Sequence, residues 1–416
     1  MVTHVPIHGG LTELICREVT QLDSPELLPR IAVEDVDMTS LYRIADGTLS
    51  PLVGPMVKED YDSVLSAKCI ERNGNKWAWT IPIILPITAD EAKTAVVGST
   101  VALSSASAGD VFGTLKVESV YDWDKASFIK AVYGTERTDH PGARLWIGDD
   151  RSTLVGGEIS VLPFNDTRDF VQRIFNPVKL RNFIAEQGYE VTVAFQTRNP
   201  LHRAHEYALV YGAEKLLRET GKKVGVFLNP LVGQLKGDDV PAATRMLTYA
   251  KLIDDKLLGE GDKDVELWQS KGQDLGSQTC LAGLDMRMYY GGPSEAVMHA
   301  IYRQNLGISH FIIGRKHADA PYDDGSAIWG DFDAQEIFHN LGGELSIKTV
   351  NVGFAAYFEE IGRVGLVEDN KGKTTVNISG TKMRALLNDG QMPDDRVMRP
   401  TTATILMEYY RSKNVA

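Results

Sequence analysis

The chain has 416 residues, of which 43% are hydrophobic and 24% are charged, a composition typical of globular proteins with room for two or three domains. Its net charge is −12, from 44 basic and 56 acidic residues, and no basic tract or basic helix occurs, so we expect no nucleic-acid partner. A site for an anion must therefore concentrate positive charge locally.

The cysteines and the termini favour a cytoplasmic location. Cys16, Cys69 and Cys280 lie far apart and form no C-x-x-C pair, which excludes a disulfide framework and a cysteine zinc site. The start, MVTHVPIHGG, lacks the basic and apolar regions of a signal peptide. The longest apolar run, near WTIPIILPI, is far short of a membrane span, so we expect no membrane partner.

The first 170 or so residues are predicted to be rich in β-structure. Their candidate strands are WAWTIPIILPI, STVALSS and VFGTLKVESVYDW. These segments are rich in β-branched and aromatic residues, and the turn signals NGN and SAGD separate them. A few helices interrupt the strands, for instance around KEDYDSVLSAK.

From about residue 175, strands and helices alternate. The helix LRNFIAEQG is followed by EVTVAF, AHEYALVYGAEKLLRE, KVGVFLNP, AATRMLTYAKLIDDKLL, SEAVMHAIYRQNLG and HFIIGR. Such alternation is typical of an α/β domain with a parallel sheet and crossover helices. A shorter tail follows, with a helix near SGTKMRALLND.

The stretch QTRNPLHRAHE lies between the predicted strand YEVTVAF and the predicted helix YALVYGAEKLLRE. Ligands of open α/β sheets bind beyond the carboxyl ends of strands. His202 and His205 are three residues apart and share a face of the first helical turn, towards which the unpaired helix N–H groups also point. Arg198 adds a planar fork of donors. This stretch therefore predicts a site for phosphate or another oxyanion.

Two other interpretations of this stretch stay open. The residues could serve only to cap and pack the helix. The H-x-x-H spacing could also hold zinc, although no third ligand of the usual kind lies nearby in the sequence.

A second element near the C-terminus also favours phosphate binding. In NISGTKMRALL, Ser379, Gly380 and Thr381 are predicted to form a strand-to-helix turn, and Arg384 follows one turn later. Hydroxyls and backbone N–H groups there could hold the outer phosphates of a triphosphate, although S-G-T alone is also a common helix cap. Together with H-x-x-H, this motif resembles the nucleotidylyltransferase superfamily.

A third element narrows the resemblance. In GGPSEAVMHAIYRQNLGISHFIIGRKHADAP, Arg315 and His317 follow the strand HFIIG. With QTRNPLHRAHE, FLNPLVGQLKGDDVP and the N-terminal motifs PIHGG and GTLSPLVGPM, it closely resembles the ATP sulfurylase (sulfate adenylyltransferase) family. The resemblance covers essentially the whole chain.

The resemblance implies both a fold and a reaction. The expected domains are a β-rich PUA-like domain over 1–172, a Rossmann-like catalytic domain over 173–348 and a small closing subdomain over 349–416. The family transfers the adenylyl group of ATP to sulfate by in-line attack on the α-phosphate, reversibly, giving adenosine 5′-phosphosulfate and pyrophosphate. It also implies Mg²⁺ with ATP and a homo-oligomer, which we expect to be a dimer. We expect no protein-bound zinc, because H-x-x-H lacks a nearby third ligand.

The resemblance further assigns three groups of residues. The sulfate-binding group is Gln196, Arg198 and the backbone N–H of Ala318. The catalytic group is Thr197, Arg198, Asn199, His202 and His205. The nucleotide-binding group is Asn199, His202, His205, Gly314, Arg315, Lys316, His317, Phe354 or its neighbour Ala355, Ser379, Thr381 and Arg384.

Four features lie outside those groups. The chain reads GRKHADAP where the family commonly shows GRDHAG, so Lys316 and Asp319 depart from the pattern; we take this exchange as a candidate mark of a dissimilatory subgroup. The sequence of the loop NPLVGQLKGDDVP, with Lys236, also suits a plain solvated connection, but the resemblance favours a mobile flap over the phosphates. The histidines His8 and His299 are expected to be structural. Glu295 and Arg303 could support the site residues from behind or form an ordinary pair on a helix face, and we favour the helix-face pair.

Two rival functions remain open at this point. One is an adenylyltransferase of the same superfamily with another acceptor, which would not account for Arg198 in Q-T-R-N. The other is a non-catalytic nucleotide-binding protein built on the same fold.

Overall fold

The computed structural model describes residues 5–233, 239–376 and 380–415 of the protein. In chain order its strands and helices are β1 (Arg30–Val33), α1 (Asp35–Ala45), α2 (Lys58–Ala67), β2 (Cys69–Arg72), β3 (Asn75–Ala78), β4 (Pro86–Ile87), α3 (Ala89–Thr94), β5 (Thr100–Ser105), β6 (Val111–Asp122), α4 (Lys125–Tyr133), α5 (Pro141–Ile147), β7 (Thr153–Val161), α6 (Pro177–Glu186), β8 (Val191–Phe195), α7 (Arg203–Thr220), β9 (Val224–Leu228), α8 (Ala242–Asp254), α9 (Val265–Ser270), α10 (Leu275–Gln278), β10 (Thr279–Leu281), α11 (Gly292–Asn305), β11 (His310–Ile313), α12 (Asp333–Glu336), β12 (Lys348–Asn351), β13 (Ala355–Phe358), β14 (Arg363–Leu366), β15 (Thr375–Val376), α13 (Gly380–Asn388) and α14 (Pro400–Val415).

The N-terminal region forms a five-stranded sheet in the order β1-β5-β6-β7-β4. Five helices, α1 to α5, accompany it. The prediction of one strand over WAWTIPIILPI is wrong between β3 and β4, because Pro82 cannot donate a ladder hydrogen bond. Trp79 and Ile81 in this stretch are instead fully buried core residues, so its hydrophobicity reflects packing rather than strand pairing.

The second sheet has the order β10-β9-β8-β11-β12, and each neighbouring pair is parallel. The predicted α/β fold with a parallel sheet is confirmed. Every residue of β8 and β9 is buried, as expected for strands covered on both faces. Because β8 and β11 are neighbours, with Phe311 opposite Ala194, the loops that follow them open at the same edge of the sheet.

Helix α7 begins directly at this edge and packs closely on the sheet. A Cβ atom at Gly212 would lie 2.5 Å from Ile312 Cδ1, so only glycine allows this approach of α7 to β11. The close packing anchors the helix whose first turn carries the paired histidines.

The C-terminal region adds a three-stranded antiparallel sheet, β14-β13-β15, and the helices α13 and α14. Met383 and Leu387 of α13 share a small core with Met398, Ala403 and Leu406. The predicted boundary at 348/349 falls at the start of β12, which is the edge strand of the second sheet. Across the described parts of the chain, no helix combines the length and apolar character needed to cross a membrane.

Candidate active site

A cavity of about 360 Å³ opens where β8 and β11 end. The predicted site residues that line it are Gln196, Thr197, Arg198, Asn199, His202, His205, Gly314, Arg315, Lys316, His317, Ala318 and Phe354. An adjoining cavity of about 390 Å³ shares its histidine wall and extends to Arg384 on α13. Ser379, the side chain of Thr381 and Lys236 of the predicted flap lie outside the described residues.

Arg198 is held between two acidic residues and an aromatic ring. Its Nη1 lies 4.0 Å from Asp239 Oδ2, its Nη2 donates to the Asp319 carbonyl at 3.4 Å, and its guanidinium lies 5.0 Å from the centre of the Tyr290 ring. Nη1 makes no hydrogen bond within the described residues. One buried donor of the guanidinium is therefore left without a hydrogen bond beside the cavity.

The turn before α7 is organised by its own polar groups. Thr197 Oγ1 donates to the Asn199 carbonyl at 2.9 Å and accepts from the Asn199 N–H at 3.1 Å. The Tyr249 hydroxyl donates to the same carbonyl at 2.7 Å. The buried side chain of Gln196 leaves Oε1 without a hydrogen-bond partner among the described residues. A ligand at this turn would satisfy that buried amide.

The two histidines stack at the start of α7. Their ring centres are 3.7 Å apart and the rings are inclined by 23°. Burial lowers the pKa of His202 to about 4, and burial together with the neighbouring His202 ring lowers the pKa of His205 well below its ordinary value. At neutral pH both imidazoles are therefore uncharged, and each can donate one N–H to a phosphate oxygen.

The expectation that the first N–H groups of α7 are unpaired is wrong for two of them. The Arg203 N–H donates to the Val397 carbonyl of the C-terminal region at 2.8 Å. The His205 N–H lies 3.4 Å from Nδ1 of His202, which caps the helix. The imidazole side chains, rather than the backbone amides, are thus the main donors at this helix end.

The loop after β11 adopts an uncommon backbone conformation. Lys316 and Ala318 have φ angles of 49° and 57°, in the left-handed region that non-glycine residues rarely occupy. The Lys316 N–H donates to the Asp331 carbonyl at 2.8 Å, and Lys316 Nζ lies 3.8 Å from Asp331 Oδ1. Arg315 lies over the Phe354 ring at 4.3 Å. These contacts hold the loop against the cavity.

The interpretation of Glu295 and Arg303 as a helix-face pair is wrong, because both side chains and that of His299 are fully buried. His299 does more than fill space, since its Nδ1 lies 3.0 Å from Nε2 of the cavity residue His317. The spacing of Glu295, His299 and Arg303 by four residues along an otherwise apolar helix was the signal that could have indicated an inward polar stripe.

A second contact that was not predicted joins the C-terminal region to α7. Arg399 Nε donates to Glu206 Oε2 at 2.7 Å, and Arg399 Nη2 donates to the Glu260 carbonyl at 2.9 Å. Glu206 is fully buried and directly follows His205. The ion pair therefore fixes the histidine-bearing turn against the segment that contains Val397.

Replacing Arg399 with alanine is expected to lower the free energy of unfolding by about 3–5 kcal/mol, because it leaves a buried carboxylate without its partner. Chemical denaturation measures this change. Arg173→Ala, which breaks an exposed pair with Asp254, is the control and should change stability little. Equal stability of the two variants would contradict a structural role for the Arg399–Glu206 pair.

Comparison with known proteins identifies relatives along the whole chain. The ATP-sulfurylase family matches residues 172–409, and the PUA-like domain matches residues 5–164. The sulfate adenylyltransferase of Pyropia yezoensis is 71% identical over 411 residues, which cover 98% of each chain. The sulfate adenylyltransferase of Synechocystis sp. (strain ATCC 27184 / PCC 6803 / Kazusa) is 34% identical over 409 residues, which cover 96% of each chain.

A solved structure is similar in fold. The hexameric APS kinase from Thiobacillus denitrificans superposes with a TM-score of 0.72 at 17% sequence identity, and the match covers 98% of this chain and 69% of that chain. The family match over residues 172–409 and the 71% identity to a sulfate adenylyltransferase over 98% of each chain show that the chain belongs to the ATP-sulfurylase family.

Proposed function

We propose that this cavity transfers the adenylyl group of ATP to sulfate, giving adenosine 5′-phosphosulfate and pyrophosphate. The observation that carries the proposal is the placement of Arg198 beside the stacked pair His202 and His205 in one cavity. This arrangement joins an oxyanion-binding fork to two phosphate-directed donors, in a chain of the ATP-sulfurylase family.

The reaction needs positioning more than acid–base chemistry. Sulfate is a dianion at neutral pH, so one of its oxygens can attack the α-phosphorus without a general base. A new S–O–P bond forms, the bond between the α-phosphorus and the bridging oxygen breaks, and pyrophosphate leaves with the electron pair. The protein must hold two anions in line and offset the charge that develops.

The expected site residues would divide this work among them. Gln196, Arg198 and the Ala318 N–H would hold sulfate at the sheet edge. Thr197 and Asn199 would orient the reacting phosphate, while His202 and His205 donate N–H groups to the α- and β-phosphate oxygens. Gly314, Arg315, Lys316, His317 and Phe354 would line the nucleotide site, and Ser379, Thr381 and Arg384 would hold the outer phosphates.

A coupled assay run in both directions tests the function. We expect pyrophosphate release from ATP that depends on sulfate, and ATP formation from adenosine 5′-phosphosulfate with pyrophosphate. Release that depends instead on a nucleotide or pantetheine acceptor would support the related adenylyltransferase, and ATP binding without turnover would support a binding protein.

Removing divalent cations should stop turnover, and Mg²⁺ alone should restore it, because Mg²⁺ accompanies ATP and is held by phosphates and water.

A zinc-selective chelator should have no effect. The two imidazoles stack face to face instead of converging on one point, and the described residues contain no group of three His, Cys, Asp or Glu side chains able to hold a metal. Inactivation reversed only by zinc would contradict this proposal.

The proposal includes a homodimer and a cytoplasmic location. The family resemblance supports the first. The second is supported by the three cysteines, which are all free in the structure and suit a reducing compartment.

A further inference from the structure

A chain of three polar side chains runs from the interior of α11 to the cavity. Glu295 and His299 lie one helical turn apart and are fully buried. His299 Nε2 lies 3.3 Å from Glu295 Oε1, and His299 Nδ1 lies 3.0 Å from Nε2 of His317. His317 lines the cavity. These three side chains therefore connect a buried carboxyl group to the candidate active site through two imidazoles.

Glu295 also supports the backbone beneath Arg198. Its Oε1 accepts the Tyr289 N–H at 2.8 Å, and its Oε2 accepts the Gly291 N–H at 3.0 Å. These two amides flank Tyr290, whose ring lies 5.0 Å from the Arg198 guanidinium. The Glu295 carboxyl group thus fixes the backbone on both sides of Tyr290, whose ring lies next to Arg198, and it also lies next to His299.

The contact between His299 and Glu295 is incomplete as a hydrogen bond. His299 Nε2 is buried and has no hydrogen-bond partner of good geometry in the described parts of the chain. Glu295 Oε1 is its carboxylate neighbour at 3.3 Å. A buried ring nitrogen in this position is costly unless such a bond forms.

The proton positions on Glu295, His299 and His317 depend on one another. Only one proton can lie between Nδ1 of His299 and Nε2 of His317. With Glu295 ionised, His299 Nε2–H donates to the carboxylate, its bare Nδ1 accepts from His317, and Nδ1 of His317 carries no proton. With Glu295 protonated every bond reverses, and His317 presents Nδ1–H as a donor.

We propose that Glu295 and His299 are positioning residues that set the tautomer of His317 and store one proton when an anionic substrate fills the cavity. A proton from solvent binds Nδ1 of His317, the Nε2 proton of His317 passes to Nδ1 of His299, and the Nε2 proton of His299 passes to Glu295. Neither ring stays charged, and one proton is gained in total. The inference rests on the proposed function, because phosphate or sulfate oxygens would accept the resulting N–H.

The surroundings favour the carboxyl group as the place where the proton resides. Burial raises the pKa of Glu295 to about 7, against the opposing effects of the Tyr289 and Gly291 amides and of His317 and Arg198. Burial lowers the pKa of both His299 and His317 well below the usual value. Besides His299, the ionisable groups among the described residues that interact with Glu295 include His317, Arg198, Tyr133, Tyr289, Tyr302 and Arg303. An anion beside Arg198 offsets a cation that favours the ionised carboxylate, and so favours proton uptake.

The direct test is the pH dependence of kcat/KM for Glu295→Gln, whose amide resembles the protonated carboxyl group. In the unaltered protein kcat/KM should fall as pH rises through about 7 and then decrease roughly tenfold for each further pH unit, because only the protonated form supplies the donor. In Glu295→Gln this fall should disappear, with less than about a threefold change between pH 6.5 and 8.5. A variant that keeps the original fall would overturn the proposal.

Glu214→Gln is the matched control. Glu214 is a buried glutamate on α7 that accepts the Asp264 N–H at 2.6 Å and the Trp268 Nε1–H at 3.2 Å, and it lines neither cavity. Its variant should keep the original pH profile. Loss of the pH dependence in both variants would show a general effect of removing a buried charge and would overturn the specific role.

A spectroscopic test separates the relay from the proposed function. In protein labelled with ¹⁵N-histidine, the His317 resonances, assigned through His317→Asn, should exchange between the two neutral tautomers as pH crosses about 7. This experiment needs no turnover, so it stands even if the assays show no adenylyl transfer. A single tautomer from pH 6 to 8.5, or an imidazolium at His299 or His317, would overturn the proposal.

Discussion

Replacing Arg198 with alanine should lower kcat/KM for sulfate-dependent pyrophosphate release by roughly 10³-fold or more while the protein stays folded. The guanidinium lies in the cavity wall at the sheet edge, and its Nη1 makes no hydrogen bond within the described residues. Loss of one donor to a developing oxyanion typically costs 10²–10³-fold in rate, and here the donor also supplies the charge that lets sulfate approach ATP. The measurement is steady-state kinetics in both directions, with circular dichroism to verify folding.

Two variants sharpen this prediction. Arg198→Lys keeps the charge but loses the fork of donors, so it should recover only a small part of the activity. Arg144→Ala removes an exposed arginine paired with Asp323 and should remain nearly fully active. Near-normal activity of Arg198→Ala would refute the placement of sulfate at this residue.

Replacing His205 with asparagine should lower kcat by about 10²–10³-fold and change ATP affinity only a few-fold. The imidazole is uncharged at neutral pH, because burial and the neighbouring His202 ring lower its pKa well below the ordinary value. In the proposed reaction it would act as a hydrogen-bond donor whose interaction strengthens as charge develops on the phosphates. Asparagine keeps a donor of shorter reach but loses the stacking on His202.

Rapid single-turnover kinetics and calorimetric binding of a non-hydrolysable ATP analogue separate the two effects. His310→Asn is the control, because His310 begins β11 at the opposite end of the strand from the cavity and contacts Ser309 Oγ at 2.9 Å. It should leave kcat unchanged. An equal loss of kcat and ATP affinity in His205→Asn would argue against a role in the transition state.

The parts of the fold that depend on local pattern were predictable. VTVAF and VGVFL are short apolar runs between helical segments, which predict buried parallel strands, and they form β8 and β9. The polar turn directly follows β8, so it had to lie beyond the carboxyl end of that strand, where ligands of open α/β sheets bind. Position in the sheet therefore brought QTRNPLHRAHE and GRKHADAP to one cavity.

Contacts between distant segments were not predictable from one sequence. The Val397 carbonyl that takes the Arg203 N–H, and the Arg399–Glu206 pair, join residues almost two hundred positions apart. No local periodicity encodes them. The pairing of Lys316 with Asp331 likewise depends on two loops meeting in space.

The apolar run WTIPIILPI shows a different limit. Its hydrophobicity correctly indicated burial, but hydrophobicity does not distinguish a strand from an irregular core segment. Proline placement decided the outcome in favour of the irregular segment.

The contact between Glu206 and Arg399 joins residues 193 positions apart. It holds one wall of the cavity, the α7 turn with His202 and His205, against the other wall, the C-terminal region with Arg384. Local opening that separates these walls costs no more free energy than global unfolding. A molecule that touches both walls binds only while they are together, and mass action then adds its binding free energy to the cost of separation. Nucleotide that reaches from the stacked imidazoles to Arg384 would thus raise the melting temperature, whereas sulfate alone, seated on one wall, would not.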